Sequence, residues 1–577
     1  MIARARVALS LLLTIAVAAP LSAQSGQPAD LVVVNARVVT MDPDGAVAEA
    51  VAIRDGRISA VGPTKAIRDA VGPATRVVDA AGRMVIPGLI DSHVHALMAA
   101  PVEAVTPFRT LASVAEIQAW TRAEARRLPA PAWIWTPRVF PTRLRERRFP
   151  TREELDAAAP GRAVALDGAY AYVLSTAALD AAGLTATTPD PPGGAIVRRP
   201  DGTPSGLLRN VGTLLTRFRP VAGGAVPLDQ LERVHRAYLE AGITSVVERG
   251  ASVEGYRTYE ALKHAGRLHL RATVTLQLPL HLQAIDADRF IAELPIEPGS
   301  GDEWLKVGPL KILADGGILA GTSFMREPYG VASRALYGVD DPAYRGFLSM
   351  PVSTIAAVVA AGHRRGWQMA AHVTGDAGVD AVLDAFEAAQ RDSPRDDPRH
   401  TLIHAYFPNP DSAARAARLG VQVDTQPAWY FEDADALQQA LGEPRLTHFI
   451  GLRTWRDAGV RVAINTDHMF GIDRDTAMNP FNPFLTMAVA VTRQSRGGEV
   501  IGADETVTRE QALRMMTVDA AALTFDERSR GRISAGALGD LVVLSDDLLT
   551  CPAARIKDIR ADLTIVGGRV VFERQTR

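Results

Sequence analysis

The stretch Val85-Ile86-Pro87-Gly88-Leu89-Ile90-Asp91-Ser92-His93-Val94-His95 constrains this chain more than any other. A short apolar run is broken by Pro-Gly, resumes, and ends in His-x-His. Along a strand, side chains at i and i+2 point the same way. Two imidazoles at a strand's end can therefore grip one metal ion. Ordinary core packing gives no reason to put two histidines there.

The same signal recurs. Downstream of residue 225, apolar runs alternate with helix-like stretches. Leu305–Ala314, Gln368–His372, Thr401–His404, Val421–Thr425 and Arg461–Asn465 read as strands. Leu228–Ala241, Val352–Arg364, Gly378–Gln390 and Arg509–Leu523 read as helices. Strand–helix alternation over this length predicts a parallel α/β fold, with a (β/α)8 TIM barrel as the leading case. Barrel chemistry sits at the C-terminal ends of strands. There the sequence places His93, His95, Lys311, His372, His404 and Asp467. His372 and His404 lie 32 positions apart, one βα unit; His404 and Asp467 lie 63 apart, two units with the Val421 run between. Lys311 and His372 lie 61 apart, which fits one unit with an inserted loop or two plain units. Any one of these residues could be a core histidine, a helix cap or a paired lysine. The ordered series of six points to a metal site.

Both ends of the chain have a different texture. Leu31–Val34, Arg37–Thr40, Ala50–Ile53, Leu541–Leu544 and Leu563–Phe572 are β-type runs, with hairpin turns at Asp55-Gly56 and Gly567-Gly568. Each end alone is too small for a good core. One composite β-sandwich, built from 29–85 and 530–577, is expected beside a barrel over 86–529. Residues 105–225 fit the barrel rhythm poorly, being rich in proline and carrying the arginine run 143–148. They read as an insertion after the first barrel strand that covers the site, with the arginines on a solvated face.

Residues 1–23 read as a secretory signal: Arg4 and Arg6, then an apolar stretch to Leu21 and a small-residue site at Leu21-Ser22-Ala23. A periplasmic or secreted protein is expected, with no stable membrane insertion once that segment is removed. With Cys551 the single cysteine, the fold has no internal disulfide. A net charge of −2 gives no electrostatic case for nucleic acid. The expected partner is a small-molecule substrate. The oligomeric state is left open, a homodimer included.

The motifs resemble those of the amidohydrolase superfamily. The resemblance covers nearly all of the chain after residue 23 and is closest to amidohydrolase family 3, the branch that includes N-substituted formamide deformylases. It is carried by Pro87-Gly-Leu-Ile-Asp-Ser-His-Val-His95, Lys311-Ile-Leu-Ala-Asp-Gly316, His372-Val-Thr-Gly-Asp376 and Asp540-Leu-Val-Val-Leu544. It implies that Lys311 carries CO2 as a carbamate bridging two metals. His93, His95 and Asp467 would hold one ion, and His372 and His404 the other. Asp467 would also be the catalytic proton carrier. Zinc suits these ligands, in one or two copies, with manganese, iron and cobalt as alternatives. The chain departs from the branch at Asp167–Leu179, where relatives often carry a Gly-His, and at His468-Met469-Phe470, where many have Ala-Pro. Trp429, within Gln426–Phe431, and His468 are placed at the wall of the substrate pocket.

The expected reaction is hydrolysis of an amide-type C–N bond in a small organic molecule by metal-activated hydroxide. The same centre could open lactones, cleave esters or assist a decarboxylation. A non-catalytic periplasmic binding protein is the remaining alternative, and it would not require the ligand series.

Overall fold

The computed structural model describes residues 27–105, 107–219 and 226–575. The signal-like segment 1–23 lies outside the described residues. Eight parallel strands succeed one another in a single sheet: β1 (Leu89–Val94), β2 (Ile243–Ala251), β3 (Arg271–Gln277), β4 (Leu305–Leu313), β5 (Met369–Val373), β6 (Thr401–His404), β7 (Gln422–Thr425) and β8 (Val462–Ile464). The ring closes on β1 just past the end of β8. Val94 bridges His468 in parallel, and His95 N donates to His468 O at 2.8 Å. Asp91 stitches the same seam, accepting from Thr466 N at 3.2 Å and Thr466 Oγ1 at 2.6 Å. The expected barrel is therefore present. β4 pairs directly with β5, so the interval between Lys311 and His372 is one unit with an inserted loop.

The helices form where one face is apolar. In Asp376–Asp392 the buried residues Val379, Val382, Leu383, Phe386 and Ala389 recur at helical spacing and seat the helix on the barrel. The single helix expected over 509–523 is instead two, Arg509–Met515 and Val518–Ala522. The break turns the Met516 carbonyl toward β1, where it accepts from Ile90 N at 2.9 Å.

Strands from both ends of the chain share one six-stranded mixed sheet. Leu541–Leu544 pairs antiparallel with Met84–Pro87, whose other neighbour is Arg37–Val39. A four-stranded mixed sheet packs beside it, with Leu31, Val33, Val51, Leu541 and Ile565 in one buried cluster. Asp540 ties this unit to the barrel. It accepts from Arg271 Nε at 2.6 Å and Nη2 at 2.9 Å.

Between β1 and β2 the chain builds a further five-stranded sheet, from Ile134–Trp135 to Pro204–Arg209, with its own apolar clusters. Arg143, expected on a solvated face, instead pins this sheet to the barrel. Its Nε and Nη2 donate to Asp433 at 3.0 and 2.8 Å, and Thr142 Oγ1 joins them at 2.7 Å. Among the described residues, no helix is long and apolar enough to cross a membrane.

At the N-terminal end of β6, away from the ligand series, His363 and His400 form a buried pair. Met369 N donates to His400 Nδ1 at 3.0 Å, so His400 Nε2 carries a proton toward His363 Nδ1 at 2.8 Å. His363 Nε2 in turn donates to Ser393 O at 2.7 Å. This chain of bonds needs both rings neutral. Burial holds His400 down at about 3 and lowers His363 as well. The unfolded chain takes up protons near about 6.5. The contribution is thus complete above that pH and is lost as pH falls below it. From pH 7 to 5, His400 alone should cost the folded state about 2 kcal/mol. H400Q should flatten the fall of the urea midpoint over that range; equal slopes in the two proteins would refute the account.

Candidate metal centre

Four of the six expected ligands meet at the C-terminal mouth of the barrel. His93 Nε2 and His95 Nε2 lie 3.2 Å apart, and each is 3.4 Å from Asp467 Oδ1. His404 completes a buried cluster with His93 and Asp467, their donor atoms all within 4.8 Å of one another. The backbone is held in an unusual shape to achieve this. His404 has φ +75°, Ala405 +45° and Asp467 +51°. Left-handed conformations cost non-glycine residues energy and concentrate where a site demands them.

His372 stands beside His404, their ring centroids 4.4 Å apart. Its Nε2 donates to Gly316 O at 2.9 Å, which leaves Nδ1 unprotonated, 3.4 Å from the Tyr170 hydroxyl. Lys311 is buried in β4, and its charge acts on all five of the others.

The electrostatics keep the nitrogen donors unprotonated. Burial and the charge of Lys311 hold His93 and His95 well below their ordinary value. Burial does the same to His404, with His372 and Lys311 adding to it. The imidazoles are thus neutral, the form that ligates metal. Burial raises the Asp467 carboxyl, against the pull of Lys311 and Arg138. Burial lowers the Lys311 ammonium, helped by Arg249 and opposed by Asp467. Asp467 Oδ1 is buried with no hydrogen-bond partner while two imidazole nitrogens face it. Donor separations of 3.2–3.4 Å are those of tetrahedral ligands about 2.0–2.1 Å from one ion. The residues fit a divalent metal.

Neighbouring groups fix the His404 ring and the loops around it. Gln426 Oε1 accepts from His404 Nδ1 at 2.7 Å, and Tyr406 Oη stands 3.2 Å from the same nitrogen, so His404 Nε2 keeps its lone pair for the site. Asp315 accepts from Phe324 N, Thr374 N and Gly375 N at 3.0, 2.9 and 2.8 Å, clamping the loop after β4 to the residues that follow His372. Gly317 leaves room for Tyr170, since a Cβ there would lie 2.7 Å from the tyrosine ring. Below the cluster, Arg249 and Asp424 form a fully buried ion pair at 2.9 Å. Above it, the insertion contributes Arg138, paired with Asp167.

Both expected pocket residues are buried. His468 is buried with Nδ1 2.7 Å from the Tyr238 hydroxyl and Nε2 2.6 Å from Gly471 O. Both nitrogens are engaged behind the site, leaving none for a substrate. Trp429 packs against Phe140 and the Arg143 guanidinium and is largely buried. Gln426 and Asp424 were findable by the same strand-end logic, on β7. Arg138 and Tyr170 carry no such signal, because their place depends on how the insertion folds back.

The chain belongs to the amidohydrolase family 3, whose model matches residues 76–572. It is 29% identical over 564 residues to the N-substituted formamide deformylase of Arthrobacter pascens, covering 95% of this chain and 99% of that one. It is 27% identical to a putative amidohydrolase of Bacillus subtilis, covering 93% and 98%. A solved metal-dependent hydrolase of Pyrococcus horikoshii shares the fold, with a TM-score of 0.65 at 19% identity over 91% of this chain and 99% of that one.

Proposed function

We propose that this protein is an exported, metal-dependent amidohydrolase that cleaves an amide-type C–N bond of a small organic molecule. One observation carries the reading. His93, His404 and Asp467, far apart in the sequence, bring ligand atoms within 4.8 Å of one another at a buried point, where Asp467 Oδ1 has no hydrogen-bond partner. The Arthrobacter relative, named for removing formyl groups from N-substituted formamides, supports the bond type. The signal-like residues 1–23 support export.

His93, His95, His404 and Asp467 would hold the ion, zinc in the first instance. His372 through Nδ1, and Lys311 as a carbamate, would extend the site to a second. A bound ion supplies a nucleophile at neutral pH and polarises the acyl oxygen. Asp467 takes the proton released by the nucleophile and delivers it to the leaving nitrogen. Burial suits it to that exchange by raising its carboxyl toward neutrality. Lys311 is placed to react with CO2 because burial favours the neutral amine, and the carbamate formed is anionic where an ammonium would repel the ions. Tyr170 and Arg138 close the mouth above the reacting bond.

Protein purified without chelator should contain one or two divalent ions and a labile adduct of one CO2 on Lys311. It should hydrolyse members of an N-formyl and N-acyl amide panel and lose that activity to chelators. Q426L should weaken metal binding about 10–100-fold in chelator competition, by releasing the His404 ring. Metal-free protein, or metal-loaded protein that opens esters or lactones and no amide, would overturn the reading.

A further inference from the structure

The insertion sets over the metal centre a guanidinium whose donors are only loosely used. Arg138 follows the strand Ile134–Trp135, with its side chain 11% exposed. Its Nε and Nη2 meet Asp167 at 3.4 and 3.3 Å. Charge-assisted bonds are normally about 2.7–2.9 Å. Its Nη1 faces the Met469 sulfur at 3.3 Å, and a thioether is a weak acceptor. Arg219 reaches for the same Asp167 carboxylate, at 3.5 Å. Burial pushes Asp167 up, but the two guanidiniums more than offset it, so it stands as one anion between two cations.

The position of this group decides its use. Met469 and Phe470 directly follow Asp467 and His468, and Arg138 lies over the Phe470 ring at 5.2 Å. Asp167 begins the turn that carries Tyr170 to His372. Arg138 thus spans the two walls of the mouth, between the segment that bears the catalytic carboxylate and the tip of the insertion. A buried guanidinium without strong acceptors is costly unless a partner arrives. One further anion would balance two cations against two carboxylates.

From these contacts we propose that Arg138 Nη1 receives a carboxylate of the substrate, so the amides this enzyme cleaves belong to small molecules that bear an anionic group. The proposal deepens the hydrolase reading and rests on it. The test uses matched pairs, N-acetyl-β-alanine against N-acetyl-β-alaninamide and their longer homologues, in both N-formyl and N-acetyl forms. Wild-type enzyme should favour the acid of its best pair by at least tenfold in kcat/KM. R138Q should abolish that preference, and R138K should retain part of it. Calorimetry with 4-phenylbutyrate and 4-phenylbutyramide gives a reading free of turnover: the acid should bind the wild-type protein, and R138Q should lose it. Turnover without an acid preference, or a preference that survives R138Q, overturns the proposal. Arg138-dependent binding of the acid with no amide cleaved would uphold the anion site and overturn the amidohydrolase reading instead. Binding of neither probe, in protein that cleaves no pair, overturns both.

Discussion

D467N is expected to lower kcat by at least about 10²–10⁴, the range for losing a positioned proton carrier, while the folded protein keeps much of its metal. Asparagine is the right replacement. Residue 467 sits at φ +51°, a conformation that asparagine tolerates and most residues do not. The amide oxygen can still face His93 and His95, which stand 3.4 Å from Oδ1. What it cannot do is take up and release a proton. Kinetics on the best amide, with metal content measured on the same samples, separates the two roles. Metal-loaded D467N with near wild-type kcat would remove Asp467 from the chemistry, whatever its place in the cluster.

The ligand series was legible because barrel geometry converts a local rule into a global one. A polar residue at the C-terminal end of an apolar strand must point at the same mouth as its counterparts, so His93, His404 and Asp467 could be brought together without knowing any contact. Asp540-Leu541-Val542-Val543-Leu544 announced the return to the terminal sheet for a similar reason: a β-type run with no helix after it must pair with a strand already made. β2 and β3 escaped because their runs are not apolar. Glu248 and Arg249 interrupt β2, and the barrel buries them against Leu97 N and Asp424, both far away in sequence. His468 misled for the opposite reason. Adjacency to Asp467 suggested the pocket, yet the left-handed turn at Asp467 sends the next side chain behind the strand, to Tyr238 and Gly471. Arg138 depends on a separately folded sheet, which no spacing rule reaches.

D424A should be among the most destabilising single substitutions in the chain. The Asp424 carboxylate lies under the metal cluster at 0% exposure. It accepts from Ser92 Oγ at 2.5 Å, Asn465 Nδ2 at 2.6 Å and Arg249 Nη2 at 2.9 Å. Arg249 also gives Nε to Ser92 O at 3.0 Å, while its Nη1 is buried without a partner. Removing Asp424 strands a full positive charge, a hydroxyl and an amide in the barrel. Breaking a buried pair from one side costs about 3–5 kcal/mol, against a typical total stability of about 5–15 kcal/mol. The urea midpoint should fall accordingly; a loss under about 1 kcal/mol would contradict the description of a closed pair. R249M/D424L should recover most of that loss, since apolar residues of similar volume replace buried ion pairs at little cost. The double variant then isolates what the pair does for chemistry. Arg249 opposes protonation of His93, His95 and Lys311. A double variant that folds stably and yet binds metal poorly would show that the charge is retained to keep those ligands unprotonated. One that folds stably and binds metal as the wild type does would assign the pair to the architecture of the barrel alone.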